Sequence, residues 1–544
     1  MKSVTIVITF LLICYSNSKV YSQKNTTKFP EYGQIDSLFN SLFKADKTGA
    51  SFAIIKDGKT QYQNSIGLAN LEHGIPVTKK TVFPIASVSK QFTSFLALSL
   101  EKEGKLSMKD NIKKYLPELK MLPDNICLEN LANHTHGLPN IHELAGLKGI
   151  FPNKAMNHRE IVAFLLKIRT VNFEAGTQYQ YGNTGFILLA EIIERIEKKP
   201  FPEILKERIF APLQMNNSAA ITDMTTIVPN KAYSYRSTNG GYKVLPATLT
   251  AVGSAGINTT IEDFSKWAQY FQKSPDATQS IFQKMHVPTV LKNRRQIGYG
   301  LGLQFETYKG IDIVFHGGGN AGYTSYILHA PKQKLSMVIM TNTNNFLGFD
   351  MIYGAIDLLL KPYFTNAPKK SKPTKATLKK FAGVYEFQPG NYFELLEKNG
   401  VLHFRSFGSE ESAPLPHLTG TTYTFPFIPY SKIHLYDGKF DFRIADFTYE
   451  CPKIETPNLS KITVNVGGTY FNDAFNIYLK IIIEDGKVYV IRESGAKVLL
   501  QGKSENCMFA QPIGEFNFHR DELGAVKAFK LSGQNFKGLT FLKK

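Results

Sequence analysis

The stretch "FPIASVSKQFTSFLALSLEKEGKL", residues 83–106, contains two serines that each precede a lysine by three positions. The pairs are Ser87 with Lys90 and Ser99 with Lys102. Residues three apart share one face of a helix, so the side chains of either pair can meet. Ser87 falls at the expected helix start, where free N–H groups and the helix dipole favour negative charge, although a serine there is also a routine cap. Ser99 lies about three turns further on, and we expect it to be structural.

Two later clusters contain further side chains that could serve chemistry. Tyr181 and Asn183 stand in "EAGTQYQYGNTGFILLAEIIE", after a glycine turn and before a long predicted helix. Such a loop can present side chains to a cleft. His316 opens the run "HGGG" at the end of a predicted strand, followed by Gly318 and Gly319. Glycines there either allow a ligand to approach the backbone closely or simply make a turn.

The order Ser-x-x-Lys, Tyr-x-Asn, His-x-Gly resembles that of the serine β-lactamase and penicillin-binding protein family, particularly its class C-like branch. The likeness covers about residues 35–362 and includes "SAGINTTIEDFSKW" (254–267), "YGLGLQF" (299–305) and "VIMTNTNN" (338–345). The resemblance implies an α/β (α+β) fold with a β-lactamase-like antiparallel sheet flanked by helices. The hairpin-like stretch 51–69 and the strand-like stretch 311–342 agree with such a sheet, built from both ends of the domain.

The resemblance also implies a role for each of these residues. Ser87 would attack a carbonyl group and form an acyl-enzyme, while Lys90 and Tyr181 share the proton transfers. Asn183 would bind the substrate amide or position Lys90. The backbone N–H groups of Ser87 and Gly319 would form the oxyanion hole.

His316 and Gly318 are expected at the substrate-binding wall, where His316 would touch the leaving or terminal group. Many members of the family have lysine at the position of His316. A histidine is mostly neutral at pH 7, so this position lacks a permanent cation for a substrate carboxylate. That favours amidase, aminopeptidase or esterase action over an efficient β-lactamase, and it leaves a DD-carboxypeptidase open. The remaining histidines, such as His134, are expected to be turn and packing residues.

The chain divides at a segment rich in lysine and proline, "TNAPKKSKPTKAT". Beyond it, Gly383 and Tyr385 recur 85 positions later as Gly468 and Tyr470, which indicates a duplication. Two small antiparallel, lipocalin-like β-barrels fit this pattern best, and one larger barrel remains the alternative. A catalytic domain with two such barrels resembles the D-aminopeptidases of the family. The predicted parts are a signal peptide (1–22), a catalytic domain (23–364), a linker (365–377) and two barrels (378–461 and 462–544).

The first residues predict export. Lys2 is followed by an apolar run from Val4 to Cys14 and by small residues up to an expected cleavage site after Ser22. The run is too short to span a bilayer. We therefore expect a secreted or periplasmic protein without a membrane span.

The formal charge of the 544 residues is +19 at pH 7. No basic and aromatic stripe accompanies it, so we predict no nucleic-acid binding and assign the lysines to a solvated surface. No CxxC pair or His/Cys cluster with zinc spacing occurs, and neither a metal nor a cofactor is expected.

The sequence thus predicts a secreted serine hydrolase whose partner is a small-molecule or peptide substrate, with peptidoglycan fragments as one source. A non-enzymatic penicillin-binding or cell-wall-binding sensor and a weak class C-like β-lactamase remain alternatives. The oligomeric state stays open.

Overall fold

A computed structural model describes residues 31–150, 154–273, 279–344, 347–365, 373–425, 428–444, 447–457, 465–511 and 513–544. The expected signal peptide and the centre of the expected linker, 366–372, lie outside the described residues. Across the described part of the chain, no helix combines the length and the apolar composition that crossing a membrane requires.

The strands of the N-terminal part are short except for those of its main sheet. They are β1 (Ala50–Lys56), β2 (Lys59–Ile66), β3 (Leu68–Asn70), β4 (Ile75–Pro76), β5 (Phe83–Pro84), β6 (Ala219–Ala220), β7 (Tyr235–Thr238), β8 (Gly241–Val244), β9 (Ile257–Thr259), β10 (Gln304–Tyr308), β11 (Ile311–Asn320), β12 (Tyr323–Ala330) and β13 (Leu335–Thr341).

The helices of the same part stand before, between and after these strands. They are α1 (Glu31–Leu42), α2 (Ser89–Lys102), α3 (Leu128–Ala132), α4 (Ile141–Leu147), α5 (His158–Leu165), α6 (Thr184–Glu197), α7 (Phe201–Leu205), α8 (Ile261–Lys273), α9 (Gln279–Met285) and α10 (Leu347–Leu359).

The main sheet has the strand order β10-β11-β12-β13-β1-β2, and all of its pairs are antiparallel. Both ends of the domain therefore contribute to one sheet, as the sequence predicted. The β1–β2 hairpin turns at Asp57 and Gly58, whose φ angles of 50° and 70° are both left-handed. This matches the type I′ turn that an Asp-Gly pair favours.

The two faces of the sheet are covered by different helices. Along β1, Phe52 and Ile54 pack into the core formed with α1 and α10, while Ala53 and Ile55 point into the larger core on the other face. Alternate side chains of a strand point to opposite faces, so this pattern requires helices on both. The predicted sheet flanked by helices is confirmed.

Helix α2, which follows the nucleophile candidate, is fixed by α8. The ring of Trp267 stacks on Phe92 with 4.1 Å between centroids. The indole Nε1 of Trp267 donates a hydrogen bond of 2.7 Å to Gln91. Both contacts lie in the first turn of α2, so they hold the end of the helix that carries the site.

The C-terminal part contains two sheets. Helix α11 (Lys375–Phe381) precedes the first, which consists of β14 (Gly383–Gln388), β15 (Asn391–Lys398), β16 (Val401–Ser406), β17 (Ala413–Pro414), β18 (His417–Thr419), β19 (Thr422–Phe425), β20 (Ile428–Tyr436), β21 (Lys439–Ile444) and β22 (Phe447–Ile454). The second consists of β23 (Gly468–Asn472), β24 (Ile477–Glu484), β25 (Lys487–Arg492), β26 (Lys497–Ser504), β27 (Cys507–Ala510), β28 (Gly514–Arg520), β29 (Val526–Gly533) and β30 (Phe536–Lys543).

The second sheet closes into a barrel, which confirms the prediction for that copy. The first copy differs: its strand order runs from β17 to β18, and over the described residues it stays an open sheet. The edge strand β17 has two residues and includes Pro414, which lacks the N–H group that a further ladder would need. Two separate sheets are present rather than one larger barrel.

The duplication is visible in side-chain contacts. The hydroxyl of Tyr385 donates to the carbonyl oxygen of Phe381 at 2.9 Å, and that of Tyr470 donates to Val466 at 2.7 Å. In both copies the bond reaches four residues back, so the two sheets begin in the same way.

Candidate active site

Ser87 lies in a 3-10 turn between β5 and α2 and is half-buried. The preceding residue, Ala86, has a φ of 45°, which is unusual for a residue other than glycine. The turn is held on both sides: Ile85 donates its N–H to Ile257 at 2.9 Å and accepts from the hydroxyl of Ser325 at 2.7 Å. Such strain persists where surrounding bonds fix it, often at functional sites.

Lys90 extends from the first turn of α2 toward this serine and is fully buried. Its Nζ lies 2.9 Å from Ser87 Oγ. It donates to Asn183 Oδ1 at 2.8 Å and to the carbonyl oxygen of Ser254 at 3.0 Å. The same atom lies 4.9 Å from the ring centroid of Tyr181. The structure thus brings together the four side chains of the Ser-x-x-Lys and Tyr-x-Asn motifs.

The second serine and lysine pair is not part of this cluster. The hydroxyl of Ser99 donates to the carbonyl oxygen of Phe95 at 2.7 Å within α2, and Lys102 is exposed at the end of the helix. The structural role expected for Ser99 agrees with this geometry.

The loop that carries Tyr181 and Asn183 rests on His134. The ring of His134 lies 4.3 Å from that of Tyr181 and 4.6 Å from that of Tyr299. Its Nδ1 accepts the N–H of Gly182 at 3.4 Å. Burial, and next the charge of Lys90, hold the pKa of His134 well below its usual range. His134 is therefore the packing residue that the sequence predicted, and it packs against the loop that carries Tyr181 and Asn183.

His316 lies on β11 and is fully buried, whereas the sequence placed it on the wall of the cleft in contact with substrate. Its Nδ1 donates to the carbonyl oxygen of Gly317 at 2.6 Å, so Nε2 accepts from the hydroxyl of Tyr299 at 3.0 Å. Burial, followed by the charge of Lys90, lowers the pKa of His316 to about 3. The imidazole is thus neutral at physiological pH, and its two nitrogens bind protein atoms.

Gly318 and Gly319 differ in their surroundings. A Cβ atom on Gly318 would lie 2.4 Å from the carbonyl oxygen of Ile85 and 2.5 Å from Ser325 Oγ. Only glycine therefore lets β11 pass this close to the turn that carries Ser87. A Cβ atom on Gly319 would meet nothing within 4 Å. β11 is exposed at that position, and β10 pairs with its residues 311–315 only.

Asn140 contacts the loop that carries Tyr181 and Asn183, and the sequence did not predict this contact. Its Oδ1 accepts the N–H of Asn183 at 2.7 Å. No spacing rule marks an asparagine 43 positions before the loop it supports.

His142 follows closely, in the first turn of α4. Desolvation by the surrounding protein, and next the charge of Lys90, lower its pKa to about 4, although the side chain keeps contact with solvent. His142 is therefore a neutral imidazole within electrostatic reach of Lys90.

Among the described residues, one group of metal-binding types comes together: His158, Glu191 and Glu194, whose ligand atoms lie within 4.8 Å of one another. Glu191 already accepts from Arg195 at 2.7 Å, and Glu194 accepts the N–H of Phe201 at 2.6 Å. Further arginine and lysine side chains line the adjacent cavity. The local positive charge opposes a cation, and we assign no metal to this group.

The geometry defines a candidate active site: a serine at the start of a helix and a buried lysine one turn later meet a Tyr-x-Asn loop beside an antiparallel sheet. The Beta-lactamase family model matches residues 35–359. The chain belongs to the Beta-lactamase family.

Comparison with known proteins agrees with this family. The chain is 29% identical over 295 residues to a D-aminopeptidase of Gluconobacter oxydans (strain 621H), a match that covers 54% of this chain and 55% of the relative. It is 30% identical over 296 residues to a D-aminopeptidase of Brucella anthropi, covering 54% and 56%. The chain thus spans little more than half the length of these curated relatives.

The fold is also similar to a solved structure. The octameric penicillin-binding protein homologue from Pyrococcus abyssi superposes with a TM-score of 0.56 at 22% identity, covering 85% of this chain and 98% of that one. At this identity the likeness concerns the fold alone.

Proposed function

We propose that the protein is a serine hydrolase that cleaves amide or ester bonds through an acyl-enzyme, acting as an amidase or aminopeptidase on D-amino-acid substrates. The contact of 2.9 Å between Lys90 Nζ and Ser87 Oγ carries this proposal. The names of the D-aminopeptidase relatives support the substrate class.

The first step is acylation. In the neutral form of Lys90, two N–H bonds point to Asn183 and Ser254, which leaves the nitrogen lone pair facing Ser87 Oγ. The lone pair takes the hydroxyl proton while Oγ bonds to the substrate carbonyl carbon. The carbonyl electron pair moves onto oxygen. When the C=O bond re-forms, the amine or alcohol leaves with a proton delivered through Tyr181.

The second step releases the acid. Lys90 and Tyr181 together act as the general base. They take a proton from a water molecule, whose oxygen attacks the acyl carbonyl carbon. The bond to Ser87 Oγ then breaks, and the serine recovers its proton. Tyr181 is half-buried at the cleft, which suits a hydroxyl that exchanges protons with both leaving group and water.

The oxyanion is proposed to bind the N–H groups of Ser87 and Gly319. The contact of Gly318 with the turn that precedes Ser87 supports this, because Gly319 is the next residue along β11. A lost donor of this kind typically costs about 10²–10³ in kcat.

Neutral substrates fit this site better than carboxylates. Where a permanent cation would attract the carboxylate of a penicillin, the chain has the buried, neutral imidazole of His316. His142 adds a second neutral imidazole near Lys90. This supports an amidase or aminopeptidase over a β-lactamase.

The test is covalent labelling combined with a substrate panel. A fluorophosphonate probe should label the peptide that contains Ser87, and Ser87→Ala should abolish both labelling and turnover of D-amino-acid amides and short esters. Ser99→Ala is the matched control in the same helix and should label like the wild type. Label on Ser99, or nitrocefin as the best substrate, would contradict the proposal.

We also propose that the protein is exported and cleaved after Ser22. The charged start and apolar run of the first residues support this. N-terminal sequencing of the protein recovered outside the cytoplasm tests it, and a chain found only in the cytoplasm with an intact leader would refute it.

A further inference from the structure

The closed barrel reaches the catalytic loop with one of its hairpins. The hairpin tip, residues 534–535 between β29 and β30, lies against the loop that carries Tyr181 and Asn183. Gln180, the residue before Tyr181, donates its Nε2 to the carbonyl oxygen of Gln534 at 3.3 Å. The first point of contact is therefore one residue from the catalytic tyrosine.

The backbone of the tip makes the second contact. The carbonyl oxygen of Asn535 accepts the N–H of Asn140 at 2.9 Å and the Nδ2 of Asn172 at 3.1 Å. Asn172 in turn donates to Gln180 Oε1 at 2.6 Å. One carbonyl of the barrel thus fixes two asparagines of the catalytic domain.

The side chains form a bridge through Glu143. Its Oε1 accepts from Asn535 Nδ2 at 2.8 Å, and its Oε2 accepts from Asn140 Nδ2 at 2.5 Å. Asn140 Oδ1 accepts the N–H of Asn183, whose own side chain binds Lys90. A continuous path of hydrogen bonds therefore runs from the barrel to the catalytic lysine.

Glu143 loses contact with water when the bridge forms, and this desolvation costs free energy. Its retention at this position suggests a role for the bridge. Burial raises the pKa of Glu143, and the hydrogen bonds from Asn535 and Asn140 act in the opposite direction. A buried carboxylate is expensive unless donors compensate for lost water. Both donors here are amides, which fix the direction of each bond.

We propose that Asn140, Glu143 and Asn535 are positioning residues through which the closed barrel sets the Tyr-x-Asn loop against Lys90. The proposal rests on the proposed hydrolase function. The barrel is then part of the active-site architecture, because hydrogen bonds from the hairpin tip position Gln180 directly and Asn183 through Asn140.

The first measurement is the kinetic effect of Asn535→Ala in the full chain. Removing this amide leaves one oxygen of Glu143 without its donor, and we expect kcat and the rate of fluorophosphonate labelling to fall about tenfold, with a smaller change in KM. The matched control is Asn506→Ala. Asn506 lies in the two-residue turn between β26 and β27 of the same barrel and binds Arg520 instead.

The second measurement is a rescue. Asn535→Asp puts two acceptors face to face, and Glu143→Gln puts an amide N–H opposite a donor, so each single variant should lose activity. In the double variant one acceptor and one donor face each other again, and we expect most of kcat to return. A hairpin that was merely destabilised would not be rescued in this way.

The third measurement is a double-mutant cycle. If Asn535 acts through Asn140, then combining Asn535→Ala with Asn140→Ala should be no slower than Asn140→Ala alone. Additive losses, a wild-type rate for Asn535→Ala, or no rescue would each overturn the positioning role. A wild type that neither labels nor hydrolyses the panel would instead refute the proposed function.

Discussion

Lys90 Nζ has directed hydrogen bonds to Asn183 and Ser254, and these two bonds decide where its lone pair can point. A buried amine held in this way needs no free rotation before it can take a proton from Ser87. The side chains around it are neutral imidazoles and hydroxyls rather than carboxylates: His134, His316 and Tyr181. The hydrogen bonds that orient the amine of Lys90 therefore contribute more to this arrangement than ion pairs do.

Tyr181 gives the first prediction at this scale. Tyr181→Phe removes one hydroxyl and keeps the ring that packs on His134, so folding should be unchanged while kcat falls by about 10² or more. The measurement is steady-state turnover of a D-amino-acid amide, with melting temperature as the check on folding. Tyr179→Phe, two residues earlier, is the control and should keep most of its activity. A near-normal Tyr181→Phe would move the proton transfer to another group.

Residue spacing explains how much of the site was predictable. Ser87 and Lys90 meet because they are three apart on a helix, and the sequence alone shows that. Asn140 and Asn535 meet only because a hairpin from the barrel docks 395 positions away, and no local pattern encodes such a contact. His316 was found by motif, but its burial depends on Tyr299 covering Nε2.

Strand β11 shows how an element carries the site. It passes the turn of Ser87 at Gly318, and beyond residue 315 one of its edges has no pairing with β10. The stretch 311–342 was predicted to contain strands, and β11 is found within it. The closeness of its approach to the turn could not be predicted, because the glycine run was equally consistent with a simple turn.

The element-scale prediction compares two neighbouring glycines. Gly318→Ala would place a methyl group against the carbonyl oxygen of Ile85, and we expect a loss of about 1–3 kcal/mol in the free energy of unfolding, together with slower labelling of Ser87. Gly319→Ala has open space and should retain wild-type stability. Urea unfolding of both variants makes the comparison. Equal stability of the two would show that β11 does not fix the turn.

Apolar packing joins the parts of the whole molecule. The ring of Phe475, in the turn before β24, lies 5.1 Å from that of Phe164 in α5, and both belong to one core that runs from the catalytic domain into the closed barrel. Lys148 donates to the backbone of the same turn. The sequence predicted separate units from composition and repetition, but how tightly they dock depends on surfaces that only the folded chain brings together.

The whole-molecule prediction concerns acid stability. Burial lowers the pKa of His136 and His316 to about 3 and that of His158 to about 4. The unfolded chain binds these protons below about pH 6.5, and the native protein does not until the pH reaches the lowered values. The native state is therefore stable above pH 6.5, and stability falls as the pH drops toward 4.

The expected slope is about 1.4 kcal/mol per pH unit for each such histidine. Urea unfolding between pH 7.5 and 4.5 measures the total change in the free energy of unfolding. His316→Gln should reduce the slope by the contribution of one histidine, about 1.4 kcal/mol per pH unit. An unchanged slope in that variant would mean that His316 is protonated in the native protein, contrary to its burial.

The contact between Gln180 and Gln534 also has a consequence for biosynthesis. The two residues are 354 positions apart, so a ribosome needs roughly 20–70 s to pass from one to the other. During that interval the nascent chain already contains Ser87, Lys90 and Tyr181. It does not yet contain the hairpin that we propose to position the Tyr-x-Asn loop against Lys90. Translation then delays full activity, because the nascent chain reacts more slowly until the closed barrel has folded and its hairpin has docked.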